Sequence, residues 1–142
     1  METDLPLLLK LVSDSGLLVL IWLVQLVIYP SFKYYKLQDL KRWHLVYSGK
    51  ITLVVLPLML SQLLLCCWLV YASDWDMMYV INSFLVVLTW ISTFIIFVPL
   101  HQNIDNKTEN CTSDVMKLIK YNWIRTFLWT VIFIMTLYTS II

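Results

Sequence analysis

The chain has 142 residues, of which 61% are hydrophobic and 13% are charged, and its formal net charge at pH 7 is +1. Soluble domains carry about 25% charged residues, so this composition excludes an ordinary soluble domain and indicates a membrane protein. The balanced charge indicates no nucleic-acid partner. Four apolar segments of about 20 residues or more leave no room for a soluble catalytic domain, which predicts a single membrane domain over residues 1–142.

The first apolar segment, about residues 5–29, is predicted as the first membrane span. Lys10 and Asp14 are four residues apart, so one helix brings them together as an ion pair. Their position near the start of the segment predicts a pair at the membrane boundary. Towards the other end of the segment, Gln25 and Tyr29 share one helical face.

Aromatic and cationic residues alternate over residues 31–43, directly after the first span. This composition is typical of an amphipathic helix that lies in the headgroup region of a bilayer. We therefore expect an interfacial connector here, with anionic lipid near its cations. Those cations are Lys33, Lys36, Lys41 and Arg42.

The second span is predicted over about residues 45–71, with His44 and Tyr47 near its start. Pro57 is expected to kink this helix near its middle. The third span is predicted over about residues 77–100 and is followed by His101.

The only long hydrophilic stretch, residues 101–114, is predicted to be a loop. The fourth span follows over about residues 117–142. Asn122 and Arg125 are three residues apart near its start and share a face. A charge at the centre of a bilayer costs about 2.5 to 3.5 kcal/mol, so Arg125 is expected to reach the interface or to face other helices.

The orientation follows from the cations. Every Lys and Arg except Lys10 belongs to the connection between spans one and two or to that between spans three and four. With four spans, both connections lie on one side, and the positive-inside rule makes that side cytoplasmic. We expect loops 30–44 and 101–116 in the cytoplasm and both termini outside.

Antiparallel helices bring the cytoplasmic ends of all four spans together, which predicts a shared polar layer. Two interpretations of this layer remain open: interhelical hydrogen bonds that only hold the bundle, or a binding or reaction site for a small ligand. The candidate ligand-binding residues are Gln25, Tyr29, His44, Tyr47, His101, Asn122 and Arg125.

Three kinds of chemistry are considered for this layer. Two histidines that face each other across a bundle, His44 and His101, are a weak indication of a haem or metal site. A histidine, a tyrosine and a buried arginine suit proton transfer and stabilisation of an enolate or phenolate in a lipid-soluble aromatic substrate. Proton-coupled export needs a carboxylate near the middle of the membrane, and none is predicted there.

Four stretches together resemble an uncharacterised family of small bacterial four-span membrane proteins. They are residues 21–25 with Tyr29-Pro30, Trp43-His44 with residues 57–59, residues 99–101, and residues 122–126 with Trp129. The resemblance implies the bacterial cytoplasmic membrane. It also implies a second histidine at Tyr47 and an acid at Gln62, so this chain departs from the family at both positions.

The arrangement is also remotely similar to the anthrone-oxygenase-like four-helix membrane proteins, some of which oxidise polycyclic phenols without a cofactor. That similarity is architectural, and architecture does not imply function. The prediction is an all-α, integral membrane, antiparallel four-helix bundle. The predicted function is to bind or act on a small amphiphilic or aromatic ligand. Alternatively, the protein is a non-catalytic structural subunit that assembles with its own copies or with another membrane protein.

Overall fold

The computed structural model describes residues 4–106 and 110–141, which form four long helices and no strand. The first, α1, covers residues 4–34. The others are α2 (Leu37–Ala72), α3 (Met77–Asn106) and α4 (Thr112–Ile141). Each of the four is long and apolar enough to cross a membrane. The predicted all-α four-helix bundle is confirmed.

The helices are arranged as a square. Helix α1 packs against α2 and α4, and α3 packs against the same two. Short connections make successive helices antiparallel. The bundle therefore has a connector end, which holds residues 35–36 and 110–111, and a termini end, which holds the turn at residues 73–76.

Two helices continue through a proline and past the ends predicted for the first and third spans, at about residues 29 and 100. In α1, a π-helix over Val24–Ile28 precedes Pro30, and in α3 a π-helix over Thr93–Phe97 precedes Pro99. A proline ring clashes with the carbonyl four residues earlier and donates no hydrogen bond. The wider π-helical turn removes this clash, so neither helix has to stop.

The hydrophilic loop is therefore shorter than predicted. The structure continues α3 through His101 to Asn106 and begins α4 at Thr112. Residues 107–109 of the predicted loop lie outside the described residues. The extension of α3 carries Asp105 onto the same helix as His101, one turn later.

The interfacial connector predicted over residues 31–43 does not form a helix of its own. Its first residues end α1 with a short 3-10 helix, Phe32–Tyr34. Tyr35 and Lys36 are extended, and α2 then runs without interruption from Leu37 through Pro57 to Ala72. Residues 37–43 contain no glycine or proline, so nothing there stops the second helix from beginning early.

The outer surface of the bundle is apolar. Large hydrophobic side chains are exposed along all four helices, as expected where lipid replaces water as the solvent. The interior contains two apolar clusters, one towards each end. Between and beside these clusters lie the buried polar side chains.

Candidate functional site

A series of short hydrogen bonds crosses the bundle near the connector end. The Tyr29 hydroxyl lies 3.0 Å from Nε2 of His101. Nδ1 of His101 lies 2.7 Å from Nε2 of His44, and Nδ1 of His44 lies 2.6 Å from Oδ1 of Asp105. We call these four side chains the histidine network.

The carboxylate sets the direction of donation. An ionised carboxylate only accepts hydrogen bonds, so Nδ1–H of His44 donates to Asp105. With a neutral imidazole, Nε2 of His44 then accepts from Nδ1–H of His101. Nε2 of a neutral His101 accepts in turn from the Tyr29 hydroxyl. Every group in the network is thus satisfied in one consistent direction.

Aromatic rings hold the two histidines in place. The rings of His44 and His101 are stacked, with centroids 4.9 Å apart and an interplanar angle of 24°. The edge of the Phe32 ring contacts both His44 and Tyr47, at centroid distances of 5.7 Å and 5.6 Å. His44 is fully buried. These contacts restrict rotation of the His44 ring, which keeps its two nitrogens directed at their partners.

A buried arginine lies next to this network. Arg125 is only 8% exposed, and its guanidinium lies over the rings of Phe97 and Trp129, 4.3 Å and 4.8 Å from their centroids. The salt bridges among the described residues do not include Arg125. Its Nε is buried without a hydrogen-bond partner in the described part of the chain. Among the described residues, the guanidinium therefore contacts aromatic faces and forms no salt bridge with a carboxylate.

The arginine and the histidine network border one cavity of about 250 Å³. Most of its wall is apolar, with Val24, Met59 and Trp90 among the lining side chains. Its titratable side chains are Tyr29, Tyr47, His101 and Arg125. The hydroxyl-bearing Thr52 and Thr93 also line it.

The rim of this cavity lies between α2 and α3. Thr52 and Leu56 of α2 and Phe94 and Val98 of α3 line it and are exposed on the outer surface. Three of these four side chains are apolar. The cavity thus opens sideways towards the apolar outer surface of the bundle.

The other two candidate residues pair with each other. Nδ2 of Asn122 donates to Oε1 of Gln25 at 2.9 Å, and Nε2 of Gln25 donates to the backbone carbonyl of Ile119 at 3.3 Å. Both side chains are buried. They join α1 to α4 and do not line the cavity.

Of the seven candidates, the structure brings four to the cavity wall and joins three in the histidine network. His44 is behind the wall, bonded to His101, which lines it. That these residues bind a ligand stays a prediction.

The two histidines do not face each other across an open gap. Both ring nitrogens of His44 and of His101 take part in hydrogen bonds within the network. Among the described residues, no group of three His, Cys, Asp or Glu side chains is placed to hold a metal ion. Binding a haem or metal through this pair would require breaking the bond between the rings.

Asp105 was absent from the sequence-based candidates because its segment was assigned to a loop. The signal that identifies it is the spacing of four residues between His101 and Asp105, which places both on one helical face. The predicted end of the third span at about residue 100, with a loop from residue 101, concealed that spacing.

A second polar cluster occupies the termini half of the bundle. Nζ of Lys10 lies 2.6 Å from Oδ2 of Asp14, which also accepts from the Thr136 hydroxyl at 2.7 Å. Nε2 of Gln62 donates to Oδ1 of Asp14 at 2.6 Å. Asn82 donates to Thr136 at 3.2 Å. We call these five residues the lysine network.

The predicted ion pair between Lys10 and Asp14 is confirmed, and its position at the membrane boundary stays a prediction. Lys10 and Asp14 are 2% and 1% exposed. The sequence analysis considered α1 alone and did not predict this burial, in which Gln62 of α2 and Thr136 of α4 enclose the pair and satisfy it. A buried carboxylate is thus present inside the bundle, with a cation beside it.

Comparisons with protein-family models, with curated proteins and with solved structures found no match to this chain. The family resemblance and the bacterial origin therefore stay predictions.

Proposed function

We propose that the cavity binds a small, lipid-soluble molecule whose anionic or hydrogen-bond-accepting group contacts Arg125. The observation that carries this proposal is a buried guanidinium at the wall of a mainly apolar cavity, with no carboxylate partner among the described residues. Tyr29, Tyr47 and His101 add hydrogen-bonding groups to the same cavity.

The energetics of a buried charge favour an anionic ligand group. Stacking of a cation on aromatic rings contributes about 0.5 to 2 kcal/mol, which offsets only part of the cost of removing a guanidinium from water. A carboxylate or phenolate would form charge-assisted hydrogen bonds with Arg125, worth about 1.5 to 3 kcal/mol each. The apolar wall would bind the rest of an aromatic ligand through hydrophobic contact.

The position of the rim supports entry from the bilayer. Leu56, Phe94 and Val98 at the rim are apolar and face outwards. A ligand dissolved among lipid chains would meet this rim directly, whereas a strongly hydrated ligand would first have to lose its water. The proposed ligand is therefore an amphiphile or an aromatic acid or phenol.

The proposed setting is the cytoplasmic membrane of a bacterium, with the connector end in the cytoplasm. Exposed Lys33, Lys36 and Arg42 at that end support this orientation under the positive-inside rule. They also support contact with anionic lipid. A reporter enzyme that works only outside the cytoplasm should be active when it is fused to the C-terminus. A reporter that works only in the cytoplasm should be inactive there, and its activity would contradict the orientation.

Ligand binding is tested with two probes of nearly the same shape, 4-nitrophenol and its methyl ether 4-nitroanisole. The purified wild-type protein should bind the phenolate form of 4-nitrophenol more tightly than the ether. Arg125→Met should weaken phenolate binding at least tenfold, or about 1.4 kcal/mol, and should change binding of the ether little. Mass spectrometry of the protein purified from its own membrane would identify a natural ligand.

Lys120→Met is the matched control, since Lys120 is an exposed cation on the same helix. Equal weakening in both variants would show that total charge matters and the Arg125 site does not. If the wild type binds neither probe and Arg125→Met mainly lowers stability, the structural-subunit alternative is supported instead.

A further inference from the structure

We infer that the histidine network is a proton path that connects the cavity to water at the connector end of the bundle. This inference rests on the proposed function and deepens it, since it specifies that the ligand is a weak acid that loses a proton in the cavity. The ligand class is a lipid-soluble phenol or a similarly acidic hydroxyl compound.

The two ends of the network lie in different surroundings. Tyr29 and His101 line the cavity. At the other end, the Asp105 side chain is 23% exposed and lies near the end of α3, two residues beyond the exposed Asn103. Between them, His44 is fully buried. The network thus joins the mainly apolar cavity to the surface at the connector end through the fully buried His44.

The distances suit stepwise proton transfer. The three links measure 3.0 Å, 2.7 Å and 2.6 Å, all within the normal range of hydrogen bonds. Both nitrogens of each imidazole are engaged, one on the cavity side and one on the surface side. An imidazole bonded in this way accepts a proton on one nitrogen while it releases one from the other.

The transfer balances without an oxidant or a metal. The Tyr29 hydroxyl proton passes to Nε2 of His101 while Tyr29 takes the proton of the ligand hydroxyl. The Nδ1 proton of His101 passes to Nε2 of His44, and the Nδ1 proton of His44 passes to the Asp105 carboxylate.

Asp105 then releases one proton to water, and the ligand anion remains beside Arg125. In the resulting state both imidazoles are neutral and carry their proton on Nε2. His101 then donates to Tyr29 and His44 donates to His101, while Nδ1 of His44 carries no proton to donate to the ionised Asp105. Reversal of the transfer, or release of the anion and reorientation of the rings, restores the starting state.

The other charged and titratable groups around the network fit this role. Arg125 of α4 stabilises the anion that remains in the cavity, and Tyr47 of α2 faces the same space. The rim offers no equivalent route. Leu56, Phe94 and Val98 provide no group that carries a proton, and the Thr52 hydroxyl donates to the backbone carbonyl of Ser48 at 2.7 Å, within its own helix. The histidine network is therefore the polar connection by which a proton leaves this cavity.

The test is a stopped-flow experiment on the full-length protein in weakly buffered detergent solution, at a pH where free 4-nitrophenol is largely protonated. Phenolate absorbance reports deprotonation in the cavity, and a pH dye reports the proton in water. In the wild type, one proton should appear for each phenolate that forms, at the same rate.

Asp105→Asn keeps an oxygen that accepts from His44 but removes the terminal proton acceptor. We expect it to slow both signals at least tenfold, while the equilibrium affinity for 4-nitroanisole stays within threefold of the wild type. Tyr29→Phe, which removes the hydroxyl at the cavity end, should slow them similarly. Asp39→Asn, which removes an exposed carboxylate at the same end of the bundle, should keep wild-type rates.

The outcomes separate this inference from the proposed function. Wild-type rates in Asp105→Asn and in Tyr29→Phe would overturn the proton path, and so would a phenol that binds without losing its proton. Binding that still depends on Arg125 would leave the proposed function intact in either case. If the wild type binds neither 4-nitrophenol nor 4-nitroanisole, both the proposed function and the proton path fail.

Discussion

The bundle contains two buried polar networks, and they differ in how their charges are compensated. In the lysine network, Asp14 has a cation beside it and accepts additional hydrogen bonds from two other helices. Near the histidine network, Arg125 has no carboxylate partner among the described residues and adjoins a cavity. A cluster whose charges and hydrogen bonds are all paired internally holds helices together, whereas a charge without a countercharge beside a cavity is suited to bind a ligand.

Trp129 connects the two regions. Its Nε1 donates to Oε1 of Gln62 at 3.3 Å in the termini half, and its ring lies under the guanidinium of Arg125. One side chain thus separates the lysine network from the cavity and contacts both.

The largest effect is expected from Asp14→Asn. This change leaves the Lys10 ammonium buried without a countercharge, which costs about 3 to 5 kcal/mol of stability. Thermal unfolding in detergent should show a strongly lowered Tm. The double variant Lys10→Met/Asp14→Leu removes both charges and should recover most of the lost stability. If the stability is not recovered, the pair contributes more than the neutralisation of its own two charges.

A different response is expected from Arg125→Met. Because no carboxylate loses its partner, the free energy of unfolding should change by about 1 kcal/mol or less, while phenolate affinity falls at least tenfold. Parallel measurements of Tm and of 4-nitrophenol binding check both parts. A loss of stability as large as that of Asp14→Asn would remove the distinction between the two networks.

A smaller effect is expected from Gln25→Leu, which breaks the bond to Asn122 between α1 and α4. Interhelical hydrogen bonds in membranes contribute about 0.6 to 2 kcal/mol, so a modest decrease in Tm should result. Probe binding should stay unchanged, since neither residue lines the cavity. A changed affinity would extend the site to this pair.

The smallest effect is expected from Trp129→Phe, which keeps an aromatic face under Arg125 but removes the bond to Gln62. We expect a loss of about 1 kcal/mol in stability and a change in phenolate affinity of less than threefold. The same two measurements, Tm and probe binding, show whether the networks act independently. A large change in affinity would mean that they are coupled through this residue.

Much of the fold was accessible from the sequence. Long apolar segments predict membrane-spanning helices because about 20 apolar residues are needed to cross a bilayer, and short connections make neighbours antiparallel. The first and third helices extend beyond the predicted span ends at about residues 29 and 100, because a π-helical turn before Pro30 and before Pro99 is a local adjustment that composition does not indicate.

The candidate site was predicted in part. Tyr29, His44 and His101 could be assigned to one end of the bundle because each lies near the same end of its span. Asp105 could not, since it becomes part of the site only when α3 continues past Pro99.

The sequence by itself determined a four-helix, apolar bundle with polar residues gathered at one end, because hydrophobicity and helical periodicity are properties of each segment alone. Only the tertiary structure decided which polar groups satisfy one another. Lys10 and Asp14 became a closed interior network because residues of two other helices enclose them. Within the described part of the chain, Arg125 has no carboxylate partner, and it adjoins aromatic rings and a cavity. Such partnerships join residues far apart in the chain, so they depend on packing and not on any local pattern.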